Sequence, residues 1–305
     1  MNSFRSLPQN VPSAVSNRSG KLSRRTSFRG DSTTTPAAWL PATHAAALLP
    51  AASDFATDVV SWGRLSCAAF SMRGRTHTEN EDAFYVAPEH GIFALADGVS
   101  GLKTGARASG LAVLTATEYL RRQLTEGGEL LAAQSSTVFV WLEGAVRAAH
   151  QALLLAAEER GKPMCCTLDL VLVQGERAYL AHVGDSRVYH QTGGMMSALT
   201  CDHTLAQKLA ELGLGEIEAL NTRWQHVLSM AIGSQNGVEP QILSVGLLPG
   251  DRLLLCSDGV HGELADDSIQ RLLVGAPAMA GWSLVKRVSD LEGGDDATLV
   301  VIEKQ

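Results

Sequence analysis

The apolar run 92–96 (IFALA) ends abruptly in Asp97-Gly98, and this junction constrains the fold more than any other stretch of the chain. The run is short and unbroken, which predicts a strand buried on both faces. A carboxylate at the end of such a strand is costly unless something compensates its charge. Gly98 would let the backbone approach a ligand closely. Asp-Gly is also a common turn dipeptide, so this pair alone leaves a plain turn as the alternative.

The same pattern recurs along the chain, because several strand-like runs begin or end at an acidic residue. The carboxylates concerned are Glu81, Asp82, Asp97, Asp185, Asp258 and Asp295. If these ends converge, their charges repel: two carboxylates 4 Å apart cost roughly 4 kcal/mol at an effective dielectric constant near 20. Oxygen ligands without a His or Cys cluster favour Mg²⁺ or Mn²⁺. Paired cations of this kind activate water and bind phosphoryl oxygens. Unrelated turns at strand ends remain the alternative.

Charge is distributed unevenly along the 305 residues. Residues 1–30 hold six basic residues and no acidic one, which leaves 19 basic against 32 acidic residues, a net charge of −13, for the rest. The composition predicts a disordered, basic, Ser/Thr/Pro-rich tail over residues 1–58 and one folded domain over 59–305. An organelle transit peptide is the alternative interpretation of the tail. The acidic domain argues against a nucleic-acid partner.

The cysteine content and hydropathy indicate the cellular compartment. The five cysteines lack the spacing of a zinc site and suit reduced, mostly buried thiols. No stretch approaches the 18 or so consecutive apolar residues of a membrane span. We therefore expect a cytoplasmic protein, without a membrane segment and monomeric.

Hydrophobic periodicity predicts strand pairs with two long helices inserted together. The expected strands are 65–71, 83–86, 91–96, 168–173, 178–183, 188–190, 253–256 and 298–302, and the expected helices are 104–124, 136–160, 266–274 and 282–291. Residues 204–227 form a polar, helical excursion between them. This alternation is typical of a mixed α and β domain.

Over residues 62–303 the chain resembles the metal-dependent Ser/Thr protein phosphatases of type 2C, particularly bacterial members. No single motif is specific, but eight occur in the order of the family. They are 80–82 (NED), 96–98 (ADG), 167–168 (TL), 182–187 (HVGDSR), 199–203 (LTCDH), 227–233 (VLSMAIG), 249–259 (PGDRLLLCSDG) and 295–298 (DDAT).

The resemblance implies an α/β (α+β) fold, a four-layer α-β-β-α sandwich with two mainly antiparallel sheets, in which residues 204–227 are a flap beside the active site. It implies hydrolysis of phosphoserine and phosphothreonine by a hydroxide that bridges two Mn²⁺ or Mg²⁺ ions, with a third ion as a further option. The implied partners are phosphorylated Ser/Thr proteins and a cognate Ser/Thr kinase.

The resemblance also implies the role of each site residue. Asp97 would bridge both ions and the Gly98 carbonyl would complete one of them. The remaining metal ligands would be Asp258 and Asp295 for the first ion, Glu81 for the second, and Asp185 with Asp258 for a weaker third. Asp82 would orient the attacking water.

One position departs from the family pattern. Where the family usually carries an Arg that binds the substrate phosphate, this chain has His77. We expect His77, assisted by Arg75 two residues earlier, to contact the phosphate; a surface histidine without a role is the alternative. The departure also leaves open a catalytically weak or inactive relative that binds phosphoproteins. A third interpretation, from a different class of protein, is a structural domain in which bound ions only offset the repulsion between the carboxylates.

Overall fold

The computed structural model describes residues 47–48, 55–99, 103–126, 135–215 and 222–305. Most of the predicted tail, residues 1–46 and 49–54, lies outside these ranges, as does the segment 216–221 of the predicted flap.

Two six-stranded sheets form the centre of the domain, and all their strand pairs are antiparallel. The first sheet contains, in spatial order, β1 (Ala47–Leu48), β4 (Asp82–Ala87), β5 (Ile92–Asp97), β6 (Leu168–Gln174), β7 (Arg177–Val183) and β10 (Gln241–Gly246). The second contains β2 (Phe55–Trp62), β3 (Leu65–Met72), β12 (Ala297–Lys304), β11 (Arg252–Cys256), β8 (Arg187–Thr192) and β9 (Met195–Ala198). The prediction of two mainly antiparallel sheets is confirmed.

Helices cover the outer face of each sheet. The helices are α1 (Gly105–Glu126) and α2 (Ser135–Arg160) on the first sheet, and α5 (Asp258–His261), α6 (Asp266–Leu272) and α7 (Pro277–Asp290) on the second. Two short helices, α3 (Leu205–Glu211) and α4 (Thr222–Gln225), lie within the predicted flap. Pro277 fits the start of α7 because its missing N–H would have no partner in the first turn. The layers therefore follow the order α-β-β-α.

Three hydrophobic cores separate these layers, and β5 contributes to two of them. Ile92 and Ala94 pack beneath α1 and α2, whereas Phe93 and Leu95 pack between the sheets. All four side chains are fully buried. This confirms that the run before Asp97 is a strand buried on both faces, with its carboxylate placed at the end of a dry core.

The long helix α2 is the one described helix whose length and mean hydropathy of 1.2 would suffice to cross a membrane. Its apolar side chains have a different partner here. Val138, Leu142, Ala145 and Ala149 are fully buried in the core that α2 shares with the first sheet. The hydrophobicity of α2 is thus used in packing the domain.

The domain boundary predicted at residue 59 requires a correction, because β2 begins at Phe55. Polar residues such as Asp58 and Ser61 interrupt its apolar pattern, since β2 lies at the sheet edge and pairs only with β3. The edge strands β9 and β10 were not expected either. Their residues are largely half-buried or exposed, so they lack the hydrophobic signal of a central strand.

Candidate metal centre

Asp82 and Asp97 lie opposite each other on neighbouring strands of the first sheet. β4 begins at Asp82, β5 ends at Asp97, and the two residues are paired in the antiparallel register. Opposed residues project their side chains to the same face of a sheet. Phe84 and Leu95, two residues further along each strand, belong to the core between the sheets. Both carboxylates therefore lie at the end of that core.

The second sheet supplies Asp258 and Asp295 from two neighbouring strands. β11 is followed by Asp258, the first residue of α5, and Asp295 comes two residues before β12. The two sheets are joined here by Ser257. Its hydroxyl donates to Asp82 Oδ2 over 2.9 Å and accepts from the Thr298 N–H over 2.9 Å. One serine thus fixes Asp82 against the strands that carry the other two carboxylates.

Crowding of these carboxylates opposes their ionisation. Burial, followed by the charges of Asp82, Asp258, Asp185 and Asp295, raises the pKa of Asp97 well above its usual range. Burial and the neighbouring charge of Asp296 likewise raise the pKa of Asp82. The acidic groups that act on Asp97 or Asp82 are Asp82, Asp185, Asp258, Asp295 and Asp296, which come from different parts of the chain, so these carboxylates lie near one another.

The carboxylate oxygens fit divalent cations. Among the described residues, Asp82 Oδ1 and Asp258 Oδ1 are buried and have no hydrogen-bond partner. Buried polar atoms in proteins are normally paired, so two such acceptors in one place call for a positively charged partner. Oxygen donors alone suit Mg²⁺ or Mn²⁺. These residues therefore match the chemistry of the ions implied by the sequence.

Two glycines make room for Glu81, whose side chain lies beside the start of α1. A Cβ atom at Gly105 would lie 2.6 Å from the Glu81 carboxyl carbon, and one at Gly98 would lie 2.4 Å from the Gly105 backbone. The Gly98 N–H donates to the Glu81 carbonyl over 3.0 Å. This close approach of the two backbones brings Glu81 to the strand end that carries Asp97, whereas the approach of a ligand to Gly98 stays a prediction.

Thr167, in the third of the eight motifs, holds the backbone of Asp97. Its hydroxyl accepts from the Asp97 N–H and its N–H donates to the Asp97 carbonyl, both over 2.8 Å. The same hydroxyl lies 2.8 Å from Ser186 Oγ, next to Asp185. The motifs at 167–168 and 182–187 thus belong to one hydrogen-bonded unit around Asp97.

Asp185 is held by a residue that the sequence did not suggest. His261, at the end of α5, donates from Nε2 to the Asp185 carbonyl over 2.9 Å. The Asp185 side chain is buried, and burial together with the charge of Asp258 raises its pKa to about 7. Because the single turn of α5 begins with Asp258 and ends with His261, it holds the two mutually repelling residues Asp185 and Asp258 in place relative to each other.

His77 lies at the rim of the centre beside two further carboxylates. Its Nδ1 is 2.8 Å from Asp296 Oδ2, and its Nε2 is 3.5 Å from Asp295 Oδ1. These three side chains could in principle hold an ion. Both Asp296 oxygens, however, already accept hydrogen bonds from N–H groups. Arg75 instead forms an exposed ion pair with Glu292 over 2.8 Å.

Asp296, Ser257, Gly105 and His261 are the functional candidates that sequence reasoning missed. Each one contacts a predicted site residue elsewhere in the chain, up to 219 residues away in the pair of Asp296 with His77. The one available signal is the acidic doublet at 295–296, in which the family resemblance implies a role for Asp295 but none for Asp296. Contacts of this range depend on strand register, which a single sequence does not specify.

Comparison with known proteins identifies the class to which this fold and centre belong. Residues 72–285 match the family described as Protein phosphatase 2C. The match spans more than half of the chain, so the chain belongs to this family.

Bacterial phosphatases are among its relatives. The chain is 34% identical over 244 residues to the serine/threonine protein phosphatase PstP of Mycobacterium tuberculosis, covering 78% of this chain and 45% of the relative. It is 27% identical over 240 residues to the serine/threonine phosphatase stp of Listeria innocua, covering 76% of this chain and 93% of the relative. The chain thus spans about half the length of the mycobacterial relative.

Solved structures support the same classification. The crystal structure of the Mycobacterium tuberculosis phosphatase PstP/Ppp matches with a TM-score of 0.69 and 31% identity, over 79% of this chain and 99% of that one. The catalytic domain of PstP in complex with 2 manganese ions matches with a TM-score of 0.65 and 31% identity, over 78% and 97% of the two chains.

Proposed function

We propose that this chain is a metal-dependent protein phosphatase that hydrolyses phosphoserine and phosphothreonine esters. The observation that carries the proposal is the convergence of three carboxylates with raised pKa values, the buried Asp82 and the half-buried Asp97 and Asp258. Two of their oxygens, one on Asp82 and one on Asp258, are buried without a hydrogen-bond partner. Membership of the protein phosphatase 2C family and the names of the relatives support it.

The proposed metal ligands are the carboxylates that the sequence resemblance assigns. Asp97 would bind both Mn²⁺ or Mg²⁺ ions, and the Gly98 carbonyl would bind one of them. The other ligands would be Asp258 and Asp295 for the first ion, Glu81 for the second, and Asp185 with Asp258 for a weaker third. When bound, such ions activate water and neutralise the charge that develops on a phosphoryl group.

The side chains around the ligands orient the reactants. Ser257 holds Asp82 by one carboxylate oxygen, which leaves Oδ1 as an acceptor that can orient the attacking water. His77 would contact the substrate phosphate from the rim of the centre. Arg75 would have only a secondary role in binding the phosphate, because its guanidinium is exposed and paired with Glu292.

The biological setting follows from the substrate class. We propose a role in signal transduction, with phosphorylated Ser/Thr proteins as substrates and a cognate Ser/Thr kinase as the opposing enzyme. A monomeric, cytoplasmic protein without nucleic-acid or membrane partners is consistent with five free cysteines and with the acidic domain.

The decisive experiment measures phosphate release from p-nitrophenyl phosphate and from a phosphothreonine peptide, with Mn²⁺, Mg²⁺ or EDTA. We expect phosphate release only when Mn²⁺ or Mg²⁺ is present, and none in EDTA. The rate should fall by at least about 100-fold in Asp97→Asn, because the variant removes a preorganised charge at the reacting centre. Asp267→Asn, which neutralises an exposed carboxylate in the first turn of α6, is the matched control and should stay within about twofold of wild type.

The remaining outcomes separate the competing interpretations. A chain that binds Mn²⁺ in calorimetry yet releases no phosphate contradicts the phosphatase proposal. Binding of the phosphothreonine peptide would then indicate a phosphoprotein-binding relative. No binding of the peptide would indicate a structural use of the ions.

A further inference from the structure

Asp296 follows the proposed metal ligand Asp295, yet its carboxylate is turned to the chain segment 74–81. Only 2% of its side chain is exposed. Asp296 Oδ1 accepts from the Gly74 N–H over 2.7 Å, and Oδ2 accepts from the Glu81 N–H over 2.6 Å. One carboxylate therefore binds both ends of the segment that carries His77.

The third contact of Asp296 is with His77 itself. Nδ1 of the ring lies 2.8 Å from Asp296 Oδ2, and 17% of the His77 side chain is exposed. Both carboxylate oxygens act as acceptors, so the hydrogen of this bond lies on Nδ1. The bond fixes the rotation of the ring and turns Nε2 towards Asp295, whose Oδ1 is 3.5 Å away.

The backbone of His77 is also held by two hydrogen bonds. Its N–H donates to the Gly74 carbonyl over 3.3 Å, and the Arg73 guanidinium donates to its carbonyl. The side chain of Asp295 is 45% exposed, so Nε2 lies where the centre opens to solvent. We expect the substrate phosphate to approach the centre from this solvent-exposed side.

We propose that Asp296 is a positioning residue for phosphate recognition, because it holds the His77 ring with Nε2 directed at the mouth of the metal centre. The inference rests on the proposed phosphatase function and extends it to a residue that is neither a metal ligand nor in contact with substrate. A carboxylate that orients a histidine through its second nitrogen is a common arrangement in metal enzymes.

The test compares wild type, His77→Ala, Asp296→Asn and the double variant at saturating Mn²⁺. We measure KM and kcat for the phosphothreonine peptide, and the inhibition constant of inorganic phosphate. Asp296→Asn should raise KM and the phosphate inhibition constant about three- to tenfold, with kcat within about twofold. In the His77→Ala background the same substitution should change these constants less than about twofold, because the ring it positions is gone. Asp290→Asn, an exposed carboxylate on α7, is the control.

An equal effect of Asp296→Asn in both backgrounds would overturn the inference, as would weaker Mn²⁺ binding in calorimetry with an unchanged phosphate constant. Either result would mean that Asp296 supports the local structure around Glu81 and does not position His77 for phosphate. If the variant does not fold, nitrogen NMR of the wild-type protein with Mg²⁺ tests the same point. Phosphate should shift the His77 Nε2 resonance and leave Nδ1 in place; movement of Nδ1 alone would contradict it. Failure of wild type to hydrolyse either substrate would refute the proposed function separately.

Discussion

Gly105 leaves room for the carboxylate of Glu81, the ligand proposed for the second ion. In Gly105→Ala the new Cβ would lie 2.6 Å from the Glu81 carboxyl carbon, so that carboxylate must move. We expect a several-fold weaker Mn²⁺ response, in both calorimetry and activity. The free energy of unfolding should change by less than about 1 kcal/mol, because alanine suits a helix and the displaced group is a side-chain end.

Gly110→Ala on the same helix α1 is the control for this substitution. A Cβ there would meet nothing within 4 Å. It should leave the Mn²⁺ response unchanged and stabilise the protein by up to about 1 kcal/mol. A Gly105→Ala protein that titrates with Mn²⁺ like wild type would show that Glu81 is not held as a ligand.

At the residue scale, the sequence predicted the carboxylates better than the groups that hold them. Asp97 and Asp258 could be found because each interrupts an apolar run, where a charge needs an explanation. Ser257 lies within the motif 249–259 but, like Gly105, it is a common residue type whose role no local pattern indicates. Their importance comes from contacts across the fold, such as the 175-residue separation between Ser257 and Asp82. No local pattern carries that information.

At the scale of elements, residues 201–203 connect the β7–β8 turn to the flap. His182 Nε2 donates to the Cys201 carbonyl over 3.1 Å, and Arg187 binds Asp202 through two nitrogens. His203 exchanges two hydrogen bonds with Gly184, over 2.7 and 3.1 Å. The flap begins directly afterwards, so its base is fixed to the turn that carries Asp185.

Acid should loosen this connection through His203. Burial, together with the neighbouring ring of His182 at 4.8 Å, lowers the pKa of His203 from 6.5 to about 4. Between pH 6.5 and about 4, His203 is protonated in the unfolded chain but stays neutral in the folded protein. The free energy of unfolding therefore falls as pH falls. The slope cannot exceed about 1.4 kcal/mol per pH unit, and solvent around the half-buried ring reduces it.

His203→Asn tests this pH dependence, since its side-chain oxygen can still accept from the Gly184 N–H but cannot be protonated. Urea unfolding at pH 7, 6 and 5 should show a shallower decline of stability in the variant. Parallel declines in the two proteins would mean that His203 does not resist protonation in the fold.

Elements with a buried face were predictable, whereas edge elements were not. The central strands β5, β6 and β11 are nearly continuous apolar runs and were predicted within one or two residues. β10 has no fully buried residue, and the short helix α5 was hidden in the motif that contains Asp258. Pairs of consecutive strands such as β4–β5 and β6–β7 were predictable, whereas the register and the order of strands in each sheet were not, because these arise only when both sheets pack.

At the scale of the whole molecule, the sandwich concentrates negative charge at one end of the core between its sheets. Carboxylates from both sheets meet there, in a domain that is acidic overall. Hydrophobic packing of β4, β5 and β11 holds them together against their repulsion. Without cations, protons are the available means of reducing that repulsion, so the stability of the metal-free protein should depend on pH.

Asp185 allows this to be measured with one substitution. Its pKa is raised from 3.8 to about 7, so the folded state retains a proton that the unfolded chain loses above pH 4. The stability from this group is therefore present below pH 4 and lost as pH rises to 7, on the order of 4 kcal/mol in all. In EDTA, Asp185→Asn should match wild type near pH 4.5 and exceed its free energy of unfolding by roughly 2–4 kcal/mol at pH 8.

The difference between these two proteins isolates Asp185 from histidines that titrate in the same range, because those are common to both. Saturating Mn²⁺ should remove the advantage of the variant at pH 8, since cations bind the ionised carboxylate and replace the proton. Urea unfolding with EDTA or Mn²⁺ at the two pH values measures both effects. An equal stability difference at pH 4.5 and pH 8 in EDTA would mean that Asp185 ionises without cost. Repulsion at Asp185 would then not be a reason for this fold to bind cations.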